Sequence, residues 1–273
     1  MLVVFRKRLG NKKSIYRLMI MIINKYLIVS GCSWTDKNYQ SAPHPNLNCD
    51  WPKWPEILAK KLRMECINLA ESGQGQEFIY SSLLDTLSSF KPIEIGLVIA
   101  AWTKSSRRDF SYTHKNKKGE WVNDDSYILK RYKTRWNSYL FDNKGDDYYF
   151  LYKSLRYQYS ISKVCEALNI PLKHFQMLEP YETADYGLAK ENYKNNPIKR
   201  IGGQEYYNTM LTSHYGKYLD NSQNFIGFPG QKMYGGLNGR NIISDPNDYI
   251  SDEDGHPNEK GHKKIAEFIY ENL

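Results

Sequence analysis

Apolar residues recur along this chain in two rhythms. Tyr26-Leu27-Ile28-Val29-Ser30-Gly31 is a short apolar run stopped by glycine, which predicts a buried strand over 26–31. Met64–Leu69 and Pro171–Met177 repeat that form, and Ile93–Trp102 is the most apolar of the four. Such unbroken runs, rather than strict alternation, suit a sheet covered on both faces. Between them the period lengthens to that of a helix. Trp54-Pro55-Glu56 opens a helix to about Arg63, with proline at the first helical position and an acid in the first turn. Glu77–Phe90 carries Ile79, Leu83, Leu84 and Leu87 on one face, and Tyr148–Asn169 is a long helix. Pro257–Leu273 closes the chain as a helix facing the core with Ile265, Phe268, Ile269 and Leu273. Alternating strands and helices predict a three-layer α/β/α domain on a mostly parallel sheet. Residues 103–145 are expected to be a polar, basic and aromatic insertion with some helix. Residues 178–250, rich in Gly, Asn and Tyr, are expected to be irregular.

Length and composition narrow this picture. The 273 residues fit one domain, and 41% hydrophobic with 25% charged residues are ordinary for a globular protein. The net charge of +8 is not spread evenly. Arg6, Lys7, Arg8, Lys12, Lys13 and Arg17 lie in residues 1–20, which hold no acid, so the remainder carries only +2. We therefore read residues 1–20 as a basic extension that precedes the true start at Met19 or Met21, and 21–273 as one domain. A nucleic-acid partner is not expected. The apolar run Leu18–Ile23 is short and lacks a small-residue cleavage site, so it is not read as a secretion signal. No segment reaches the ~18 apolar residues of a membrane span. Cys32, Cys49, Cys66 and Cys165 form no CxxC pair. Neither a metal nor an organic cofactor is expected, and the cysteine usage fits a reducing, cytoplasmic compartment.

Candidate chemistry collects where the strands end. In parallel sheets ligands bind beyond the carboxyl ends of the strands, and Ser33, Gly73 and Trp102 all fall there by this reading. Ser33 is a candidate nucleophile, which needs an adjacent base, and its backbone N–H suits an oxyanion hole. His256 is the candidate base. It follows Asp252-Glu253-Asp254-Gly255, and one of these carboxylates would hold the imidazole tautomer. Asp254 is the first choice; Glu253 and Asp252 are the alternatives. Gly73 lets the backbone approach a ligand with its N–H, and Gln76 opens the next helix beside it.

These residues carry a resemblance. Gly31-Cys32-Ser33-Trp34-Thr35, Asn68 to Gly75, and Asp254-Gly255-His256-Pro257 followed by Gly261-His262 resemble, in order, three blocks of the SGNH (GDSL-like) hydrolase family. The resemblance implies a flavodoxin-like α/β/α fold and ester hydrolysis, often of acetyl groups on carbohydrates. It implies Ser33 as nucleophile, His256 as base, and an oxyanion hole from the Ser33 and Gly73 N–H groups plus an Asn side chain. Cys32 stands where the family usually has Asp. The family's Gly-x-Asn-Asp block is replaced by Ala100-Ala101-Trp102-Thr103, so Gln76, Thr103 or Arg107 must supply the third donor. Trp102-Thr103 with Arg107-Arg108-Asp109-Phe110 resembles a divergent branch of such proteins in bacteriophages. A serine esterase acting on a small-molecule or glycan ester is the leading expectation. A non-catalytic glycan-binding or virion-associated protein, an acyltransferase, and an anion-binding module using the basic stretch Lys104–Arg135 are the rivals.

Overall fold

A computed structural model describes residues 25–105, 107, 109, 147–181 and 203–273 in full, and the strands at 2–5, 19–22, 112–115 and 121–124 as backbone. In chain order the strands are β1 (Leu2–Phe5), β2 (Met19–Ile22), β3 (Tyr26–Ser30), β4 (Glu65–Asn68), β5 (Ile95–Trp102), β6 (Tyr112–Lys115), β7 (Trp121–Asp124), β8 (Leu172–Gln176) and β9 (Phe225–Ile226). The α-helices are α1 (Trp54–Leu62), α2 (Gln76–Ser89), α3 (Asp147–Leu168), α4 (Gly203–Thr212), α5 (His214–Asn221), α6 (Gly239–Ile242) and α7 (Glu259–Glu271).

Five strands form one parallel sheet in the order β4-β3-β5-β8-β9. Counted within that sheet, this is the flavodoxin-like order 2-1-3-4-5. The continuous apolar runs divide by the period of two. Leu27, Val29, Leu97, Ile99 and Phe175 pack on one face against Trp54 and Leu58 of α1 and Ile265 and Ile269 of α7. Ile28, Val98, Ala100 and Trp102 pack on the other against Ile79 and Leu83 of α2 and Leu151 and Leu155 of α3. The expected three-layer α/β/α fold is therefore the observed one. Strand order reverses between β3 and β5, which opens a crevice beyond their carboxyl ends.

Three expectations need correction. Residues 203–250 are not irregular: they hold α4, α5, the edge strand β9 and α6. Their core-facing tyrosines, Tyr206 and Tyr207, do not register as apolar in a periodicity reading, yet both are buried. The terminal helix begins at Glu259 rather than Pro257. The Asn258 side chain caps it by accepting from the Lys260 and Gly261 N–H groups, and Pro257 instead bridges to Tyr249. Leu273 lies past that helix and is exposed, while Leu84 is only half-buried. In the expected insertion at 103–145, β6 and β7 pair antiparallel; residues 106, 108, 110–111, 116–120 and 125–145 of that insertion lie outside the described residues, as do residues 182–202 of the second. The extension at 1–20 contributes β1 and the start of β2, which pair antiparallel with each other.

Candidate active site

The crevice is built from four loops. After β3 the chain makes a tight turn in which the Thr35 and Asp36 N–H groups donate to the Cys32 carbonyl at 2.8 and 3.0 Å. Gly31 is required for it, since a Cβ there would sit 2.6 Å from Thr35 Oγ1. Ser33 rides on this turn. The loop after β4 is fastened to it twice. Asn68 Nδ2 donates to the Thr35 carbonyl at 2.8 Å, and Asp36 Oδ2 accepts from the Ser72 N–H and hydroxyl at 2.9 and 2.6 Å. Next along that loop, Gly73 has φ +79°, a conformation that side-chain-bearing residues rarely take. Among the described residues, the Ser33 and Gly73 N–H groups donate no hydrogen bond.

The loop before α7 brings His256 over this floor. His256 Nε2 lies 2.8 Å from Ser33 Oγ, and His256 Nδ1 lies 2.5 Å from Asp254 Oδ1. Of the three candidate carboxylates only Asp254 turns inward: it is buried, while Asp252 and Glu253 are exposed. The loop holds its shape through the Asp254 N–H donating to Ser251 Oγ at 3.0 Å, with His44 Nε2 on the same hydroxyl at 2.7 Å. The Ile250 N–H donates to the His256 carbonyl at 2.9 Å.

Electrostatics prepare the imidazole to be neutral. Burial is the largest influence on His256 and lowers its pKa; the Arg107 and Arg240 guanidiniums act the same way, against the opposing pull of Asp254. For Asp254, burial alone would raise the pKa. Hydrogen bonds from Ser41, His256 and Tyr39 overcome it and hold the carboxyl below its ordinary value. The pair is thus set as carboxylate and neutral imidazole.

The remaining candidates separate. Gln76 is buried and its amide is a strut: Nε2 donates to the Thr103 carbonyl at 2.7 Å, and Oε1 faces Gln158 Nε2 at 3.4 Å. Thr103 also receives Gln176 Nε2 on that carbonyl, while its own hydroxyl is buried without a partner among the described residues. Trp102 is the last residue of β5 and points into the α2–α3 core, where its indole N–H donates to His174 Nδ1 at 2.9 Å. Arg107 donates from Nη1 to the Gln74 carbonyl at 3.0 Å, beside the Gly73 turn. Asp109 caps the start of α2 through the Gly75 and Phe78 N–H groups at 2.5 and 2.8 Å.

Sequence reasoning missed Tyr39, Asp36 and Arg240. Tyr39 is one of 23 tyrosines, in a polar loop with no periodicity to mark it. Arg240 stacks its guanidinium over the Trp34 ring at 5.9 Å, a contact between residues 206 positions apart. It also lines a cleft of about 300 Å³ with Ser244, Tyr249, Ser251, Asp252 and Gly255, next to His256. Among the described residues, no cluster of three His, Cys, Asp or Glu side chains could hold a metal ion, and no helix is long and apolar enough to cross a membrane.

Three solved structures are similar to this chain at low identity. A candidate lipolytic protein of the G-D-S-L family from Desulfitobacterium hafniense DCB-2 is 13% identical, with a TM-score of 0.44 over 92% of this chain and 100% of that one. A psychrotrophic esterase from Pseudoalteromonas sp., solved inhibited by monoethylphosphonate, is 14% identical, with a TM-score of 0.46 over 91% of this chain and 96% of that one. A candidate SGNH hydrolase from Slackia heliotrinireducens is 12% identical, with a TM-score of 0.41 over 91% and 98%. No family model and no curated protein matches the sequence.

Proposed function

We propose that this protein is an SGNH-type serine hydrolase that cleaves carboxylic esters. The observation that carries the reading is the unbroken relay Ser33 Oγ–His256 Nε2 and His256 Nδ1–Asp254 Oδ1 at 2.8 and 2.5 Å, assembled from opposite ends of the chain. His256 takes the Ser33 proton as Oγ attacks the ester carbonyl, and later delivers it to the leaving alcohol. Water, deprotonated by the same imidazole, then attacks the acyl-serine carbonyl; the bond from that carbon to Ser33 Oγ breaks, the imidazolium returns its proton to Oγ, and the acid is released. Asp254 keeps the Nδ1–H tautomer and stabilises the imidazolium between these steps.

The oxyanion of the tetrahedral intermediate is received by the Ser33 and Gly73 N–H groups. Arg107 supplies the third donor. Gln76 is committed to bracing Thr103, and the Thr103 hydroxyl is fully enclosed, whereas among the described residues Arg107 spends only one N–H, on the Gly73 turn. A cationic donor placed there stabilises developing negative charge more strongly than the neutral amide it replaces.

The cleft beside His256 favours a polar alcohol. Arg240, Ser244, Ser251 and Asp252 line it together with Tyr249, a mixture that matches a hydroxyl-rich group stacking on an aromatic ring and not a long acyl chain. An O-acylated carbohydrate fits this lining.

The test is release of p-nitrophenol from short acyl esters. Ser33→Ala is expected to lower kcat/KM by at least about 10³-fold. Arg107→Ala is expected to lower kcat by roughly 10²–10³-fold with KM little changed. Absence of Ser33-dependent turnover on both p-nitrophenyl and acetylated-sugar esters would sink the hydrolase reading and favour a glycan-binding protein on the same fold.

A further inference from the structure

Tyr39 occupies a place that the proposed mechanism does not use. The turn after β3 continues through Asp36, whose carboxylate accepts the Asn38 N–H at 2.8 Å and whose carbonyl accepts the Tyr39 N–H at 3.3 Å. This aims the Tyr39 side chain across the crevice, onto the loop that carries the acid and the base. Its ring stacks on the His256 imidazole with centroids 4.2 Å apart and planes 28° from parallel. Its hydroxyl lies 2.9 and 2.8 Å from the two Asp254 oxygens and 2.8 Å from His256 Nδ1. One side chain, on the same loop as Ser33, therefore touches both other members of the relay.

A phenol has one proton to give. His256 Nδ1 holds its own proton for Asp254, so it cannot accept another; the Tyr39 O–H must donate to the carboxylate. The carboxylate is thus shared between two donors, the Tyr39 O–H and the His256 Nδ1–H.

We propose that Tyr39 is a positioning residue that clamps the Asp254–His256 pair and restrains the basicity of His256. The proposal rests on the hydrolase reading for its kinetic consequences, though not for its effect on the imidazole itself. Donation from the phenol draws charge from the carboxylate and weakens its hold on the imidazolium, which keeps His256 neutral at lower pH. The stacked ring fixes the imidazole plane toward Ser33 and keeps water from one face. Burial, and then the bond and charge of Asp254, push the Tyr39 pKa far above its ordinary value, so the phenol is a donor at neutral pH. The other charged or titratable groups that act on this pair come from separate elements: Arg107 beyond β5, Arg240 on α6, His262 on α7, and Cys49 beside Tyr39. None of these is altered by removing the hydroxyl.

The experiment uses the full chain as wild type, Tyr39→Phe and Tyr39→Ala, with thermal melts to establish folding. The His256 imidazole is titrated by NMR, assigned by its loss in His256→Gln, and p-nitrophenyl acetate hydrolysis is followed across pH. Tyr39→Phe keeps the ring and loses the donor. Its His256 pKa is expected to rise by about 0.5 unit or more, with the acid limb of kcat/KM moving up by the same amount and KM within about twofold of wild type. Tyr39→Ala also loses the stack, and kcat is expected to fall by at least about tenfold beyond Tyr39→Phe. A purely structural tyrosine would lower melting temperature and leave the titration in place. An unmoved His256 pKa in folded Tyr39→Phe overturns the proposal. If the imidazole shifts but no variant turns over ester, the clamp stands and the hydrolase reading fails; if turnover is Ser33-dependent but the imidazole does not shift, the reverse holds.

Discussion

At the scale of single residues, the site is decided by which side chain turns inward. Asp252, Glu253 and Asp254 are adjacent and chemically alike, but only Asp254 is enclosed and bonded to His256. Asp254→Asn is therefore expected to lower kcat by roughly 10³–10⁴-fold, because the amide cannot hold the required tautomer. Glu253→Gln, at an exposed position outside the cleft lining, should stay within about twofold of wild type. Parallel steady-state kinetics on the two variants check this, and equal losses in both would contradict it. The direction of the His256 shift sets the pH response. Burial and two guanidiniums lower its pKa from the ordinary 6.5, so protonation disfavours the base only as pH falls through that depressed value. The acid limb of kcat/KM is expected to lie below pH 6.5 and to be followed by a plateau through neutrality. A limb centred above 6.5 would mean that Asp254 outweighs burial.

At the scale of elements, local chemistry explains both what was readable and what was not. Proline and glutamate at the start of α1, and the run of β5, identify themselves because capping and burial leave a mark in sequence. The helices α4 and α5 do not, since Tyr206, Tyr207 and Gly216 make up most of their buried faces and each adds a single aliphatic or thioether side chain, Met210 or Leu219. Gly261 shows how a tertiary contact reverses a local preference. It lies in α7, where Gly→Ala normally gains about 1 kcal/mol. A Cβ at this position would sit 2.3 Å from the Asp248 carbonyl oxygen, a backbone atom that cannot swing aside. Gly261→Ala is expected to cost about 1–3 kcal/mol by denaturant unfolding, and to lower kcat as well, because the 248–258 segment it displaces carries His256. A neutral or stabilising effect would show that α7 can shift without cost.

At the scale of the whole molecule, the parallel sheet converts distant sequence into one crevice. Each crossover returns the chain to the same edge, so the loops after β3, β4 and β5 meet there, and the loop before the terminal helix delivers His256 to Ser33 from 223 residues away. The sequence by itself determined the alternation of strands and helices, the two-sided burial of the sheet, and the three short blocks that hold Ser33, Gly73 and His256. These are local: apolar period, glycine at forced turns, and a cap before a helix are written within a few residues of where they act. Only the tertiary structure decided that Asp254 and not its neighbours meets the imidazole, that Trp102 belongs to the core while Arg107 reaches the Gly73 turn, and that Tyr39 stacks on His256. Those outcomes depend on contacts between segments up to 217 residues apart. Their energies are set by distance and burial in the folded chain, and no local pattern encodes either.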